Sequence, residues 1–139
     1  MRRVYPALLT KTNDSKDTVL VEVPDLDIAT EGYGLEDAIY MARDAIGLTG
    51  ITRQDEGRDI AEASDISSIE VSAGRVKDEG DTIVTLVDID FDEYRRKYDN
   101  RSVRRNVSIP YWLDQEARNA GLNVSKVLQD ALKERLGVE

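Results

Sequence analysis

The 139 residues contain no cysteine and no histidine. Lack of cysteine excludes a disulfide framework, a thiolate nucleophile and a thiolate metal site. Lack of histidine removes the commonest general base and a common metal ligand. No apolar run reaches the roughly 18 residues a membrane-spanning helix needs. The opening Met1-Arg2-Arg3-Val4-Tyr5-Pro6 has no apolar signal core, and both features suit a cytoplasmic protein. There is no internal repeat and no low-complexity segment.

What is present is acid, unevenly placed. The net charge is −9, but residues 101–139 hold seven Lys or Arg against five Asp or Glu, whereas residues 1–100 hold twelve against 23. A mildly basic tail, about +2, follows a body of −11, and the asymmetry assigns them two jobs. DNA would repel the body, which is suited to a basic protein, although acidic surfaces also serve solubility. The length allows one ordinary domain or two small ones.

The tail carries the clearest pattern. In Arg104 to Ile109 the residues alternate, so an extended chain points Val107 and Ile109 one way and Arg104, Asn106 and Ser108 the other. Pro110 has no N–H to donate and suits the first turn of a helix. Residues 111–120 place Leu113, Ala117 and Ala120 on one helical face, and Gly121 supplies the stop. Asn123, ahead of the alternative Ser125, is the expected cap of a second helix, whose stripe is Val124, Val127, Leu128, Ala131, Leu132 and Leu136. A strand and two helices in about 35 residues cannot bury a core alone. One strand cannot pair with itself, and an interdigitated homodimer solves both problems.

This tail resembles the ribbon-helix-helix DNA-binding domain. The resemblance implies that two strands form an antiparallel ribbon in the major groove, with Arg104, Asn106 and Ser108 reading bases. It further implies a phosphate clamp at Asn123, Val124 and Ser125, and a dimer core of Val107, Ile109, Leu113, Val127, Leu128 and Leu132. The bland alternative is a strand whose polar face meets only water.

In the body, Val4 to Thr10 and the β-branched Thr18 to Val23 read as strands joined by a loop holding Asn13-Asp14-Ser15. Pro24 to Asp27 is a turn, and Gly32 and Gly34 lie in a loop before a helix. That helix carries Leu35, Ala38, Ile39, Ala42, Ala45 and Ile46, with Gly47 and Gly50 as its expected end. Ile69 to Val71 is expected as a short strand and Thr82 to Ile89 as a long one. Residues 91–100 are expected to form a short helix running into a linker near 92–102, between a body of residues 1–100 and a tail of 103–139. The fold class is α+β, a small antiparallel sheet with a helix packed on it.

The order of these pieces resembles the HicB antitoxin family. The residues that carry it are Tyr5-Pro6-Ala7-Leu8-Leu9, Val23-Pro24-Asp25-Leu26, Thr30-Glu31-Gly32, Leu35-Glu36-Asp37-Ala38 and Ser64-Asp65-Ile66, followed by the tail. Residues 51–63 depart from it in lacking the expected prolines. The resemblance implies a partial RNase H-like body that covers a HicA-type mRNA interferase toxin. It also implies a tail that binds operator DNA and represses its own genes, with homodimers able to build a larger hetero-oligomer with the toxin. It implies no enzyme activity, no cofactor, no metal and no membrane. Two rivals stand beside it. Asp25, Asp27, Asp88 and Asp90 lie at strand ends, where paired carboxylates can hold Mg²⁺ for nuclease chemistry, although solvated acids explain them as well. A DNA-binding regulator with a ligand-sensing body is the other.

Overall fold

A continuous run from Tyr5 to Thr10, buried on both faces, forms the centre of β1, Arg2–Lys11, an inner strand of an antiparallel sheet. Its neighbours are β2, Thr18–Val23, on one side and β4, Asp81–Asp90, on the other. β3, Ile28–Tyr33, pairs with β2 and completes the order β3-β2-β1-β4. The coordinates are those of a computed structural model that describes residues 1–139, the side chain of Lys77 excepted.

The chain forms two compact units, Met1–Arg101 and Ser102–Glu139. In the first, the long helix α1, Leu35–Asp55, lies on one face of the sheet. Its fully buried Ala38, Ala42 and Ile46 meet the odd-numbered residues Tyr5, Ala7 and Leu9 of β1, with Val19, Val21, Val23, Val87 and Ile89 beside them. Each large apolar side chain removed from water this way contributes roughly 1.5–3 kcal/mol before entropy is counted. Helix α2, Phe91–Tyr98, starts directly at the end of β4 and seals this core with Phe91 and Tyr94.

Segment 61–80 covers the other face with three single 3-10 turns, Ile66–Ser68, Val71–Ala73 and Lys77–Glu79. Glu22 points to that face, 8% exposed, and its two carboxylate oxygens accept the backbone N–H of Arg75 at 3.1 and 3.0 Å. A buried carboxylate held by a backbone donor fixes the segment, because leaving it unpaired would cost its full desolvation.

Three expectations need correction. The residues taken as a loop before the helix are β3; Ala29, Glu31 and Gly32 hide its strand character, but β2 supplies a ladder for all six. Helix α1 does not end at Gly47 or Gly50 but runs to Asp55, and Gly57, at φ +68°, follows its end. Both glycines are buried within the helix, where a Cβ would collide with the rings of Tyr94 and Phe91. The short strand expected over Ile69 to Val71 is absent among the described residues: Ile69 and Glu70 join no ladder, and Val71 opens the 3-10 turn Val71–Ala73. The short helix expected within residues 91–100 is α2.

In the second unit, α3 spans Tyr111–Asn119 and α4 spans Val124–Leu136, joined through Gly121 at φ +68°. A left-handed conformation at this position is the ordinary helix stop.

Candidate functional site

The second unit buries none of its apolar side chains, judged on the described residues. Val107 is 56% exposed, Ile109 41%, Leu113 41%, Val127 49% and Leu132 51%, while Leu128 is half-buried. Two short amphipathic helices with that much uncovered apolar surface require a partner surface. Arg104, Asn106 and Ser108 are exposed in a segment, residues 99–110, without regular secondary structure in this single chain. The alternation expected of them needs a second strand before it can become a ladder.

At the start of α4 the Asn123 side-chain oxygen accepts the N–H of Lys126 at 3.1 Å. This is an N-cap, and it leaves the N–H groups of Val124 and Ser125 at the positive end of the helix dipole. Ser125 Oγ accepts a long bond from Gln129 at 3.5 Å. Lys126, which sequence reasoning passed over, places its ammonium in this first turn, 3.0 Å from Asp130.

In the first unit the four candidate carboxylates all have structural work. Asp25 accepts from Ser64 N at 2.8 Å and Ser64 Oγ at 2.6 Å. Asp27 pairs with Arg75. Asp88 is held by Arg43 at 2.9 Å, and that hydrogen bond pulls its pKa down. Asp90 caps α2, accepting from Asp92 N at 3.1 Å and Glu93 N at 3.3 Å, and these backbone donors, with Arg2, hold its pKa down. β1 runs between β4, which bears Asp88 and Asp90, and β2, which Asp25 and Asp27 follow in a turn. No group of three or more acidic side chains placed to hold a metal occurs among the described residues.

Two further clusters went unread in the sequence because they join distant segments. An open cleft of about 720 Å³ is lined by Tyr40, Tyr94, Tyr98, Arg43, Asp44 and Lys97. Tyr94 donates its hydroxyl to Asp44 at 2.9 Å; burial, then that bond, raises its pKa far above the ordinary phenol range. At the far end of the unit, Arg95 and Arg101 share Asp55 and Asp99 in a ring of ion pairs at 2.7 to 3.1 Å. Arg101 keeps the Asp99 carboxyl well below the usual carboxylate range. This ring carries the first unit to Arg101.

The model of a family described as HicB-like antitoxin of bacterial toxin–antitoxin systems matches residues 5–131. Among solved structures, a chain of a toxin–antitoxin complex from Streptococcus pneumoniae is 28% identical at a TM-score of 0.61, covering 97% of this chain and 99% of that one. The antitoxin HicB of Burkholderia pseudomallei is 26% identical at a TM-score of 0.51, covering 97% of each chain. No curated protein sequence matches.

Proposed function

Because the chain belongs to the HicB-like antitoxins of bacterial toxin–antitoxin systems, we propose that its first unit binds and occludes a HicA-type mRNA interferase. In the same proposal the second unit, as a ribbon-helix-helix homodimer, binds operator DNA and represses the operon. The observation that carries it is that the family match runs through both units, from residue 5 to residue 131. The acid balance of the body supports a basic protein partner, and the uncovered stripe of Val127 and Leu132 supports a second tail. Arg104, Asn106 and Ser108 are the base-reading residues and Asn123, Val124 and Ser125 the phosphate clamp.

The test separates the two activities on the full-length protein. It should stop RNA cleavage by the toxin and shift operator DNA. The variant Arg104→Ala/Asn106→Ala should lose the shift and still neutralise the toxin. RNA cleavage by the antitoxin alone in Mg²⁺, lost in Asp25→Asn/Asp27→Asn, would replace this reading with a nuclease.

A further inference from the structure

β4 is an outer strand, and its ten residues pair with β1 without a break in register. In an antiparallel ladder the N–H and C=O of one residue point to the same side, and successive residues alternate. Two bonds fix which residues point outward. Phe91 N–H donates to Met1 O at 3.0 Å, so the odd positions face β1. Arg43 Nε donates to Asp88 O at 3.1 Å from the opposite side, so the even positions face away. The outward groups of Thr82, Val84 and Leu86 therefore belong to no ladder, and no other group bonds them among the described residues.

This edge lacks the usual protections. From Asp81 to Asp90 there is no proline, no glycine and no lysine, and Ile83 and Leu86 are 48% and 50% exposed. Its one cap is Arg43, which closes the Asp88 end and leaves three residues open. The opposite outer strand, β3, has six residues, and the Asp37 carboxylate takes the N–H of Tyr33 at 2.8 Å.

We propose that the open edge at Thr82, Val84 and Leu86 is where the first unit receives its protein partner, by addition of an extended basic segment as a fifth strand. The inference rests on the antitoxin reading and specifies its surface. Backbone groups would supply the pairing, and side chains flanking the edge the selectivity. The occupant is basic because Asp81 flanks the open stretch and residues 1–100 around it carry −11. A second copy placed there would set two such bodies edge to edge, like charge against like.

The test is hydrogen exchange on the full-length protein, with and without the HicA-type toxin of its operon. The amides of Val84 and Leu86 should exchange quickly in the free protein and slow at least tenfold in the complex. Those of Ile83, Thr85 and Val87 should be protected in both. Val84→Pro removes an outward N–H that β1 does not use, a place where an edge strand tolerates proline, and should weaken toxin binding at least tenfold. If Val84→Pro does not fold, the exchange measurement on the wild-type protein decides alone. A toxin bound with Val84 and Leu86 still exchanging quickly overturns the edge while leaving the antitoxin reading intact. Slow exchange of these amides without toxin overturns it in favour of a second copy. Failure of the wild-type protein to bind the toxin at all overturns both.

Discussion

A Cβ on Gly50 would collide with the ring of Phe91, and one on Gly47 with the ring of Tyr94. The interior of α1 is bare at these two points so that α2 can lie against it. Intrinsic helix propensity favours alanine over glycine by about 1 kcal/mol. Packing opposes it here, since overfilling a closed core costs about 1–3 kcal/mol. Gly50→Ala and Gly47→Ala should each therefore lower stability in urea unfolding despite the better helix former. A gain in stability would show that α2 moves aside freely.

The ion-pair ring at Arg101 makes a pH prediction. Asp99 is depressed by the Arg101 hydrogen bond, so its stabilisation is present above the ordinary carboxylate pKa of about 3.9 and is lost as pH falls toward the depressed folded value. Asp99→Asn should lower the melting temperature at pH 7, and the gap from wild type should narrow below about pH 4. A gap independent of pH would mean that the ring contributes shape rather than charge.

For DNA, Arg104→Ala and Asn106→Ala should each weaken operator binding by about 1–3 kcal/mol, the range for a good base contact. Ser125→Ala should matter less, because in the proposed clamp backbone N–H groups would supply most of the phosphate contact. Gel shifts at one fixed salt concentration check this, and unchanged affinity in both ribbon variants would remove the groove-reading role.

For assembly, Leu132→Glu places a charge on the uncovered stripe of α4 and should convert the dimer to monomer in light scattering at micromolar concentration. A wild-type protein that is itself monomeric there would refute dimerisation through the tail.

Much of this was legible in the sequence, for reasons that differ by segment. β1, β2 and β4 announce themselves through Val, Ile, Leu and Thr runs whose burial needs no other information. The cap at Asn123 and the stop at Gly121 are local rules and sit where those rules put them. β3 was illegible because Ala29, Glu31 and Gly32 form a strand only when β2 is beside them. Gly47 and Gly50 were misread because a glycine that ends a helix and one that admits a ring look alike in one dimension. The open edge was equally hidden, since it is a property of backbone direction, fixed by Arg43 and Met1 from far away in the chain.

Asp90 ends β4 and caps α2, so the strand passes into the helix with no loop residue between them. A loop would act as a slack cable; this joint is a weld. Through the eight residues of α2 it joins the outer strand to Asp99, which pairs with Arg101. The open edge and the ion-pair ring at the end of the first unit are thus separated by one short helix and no loop.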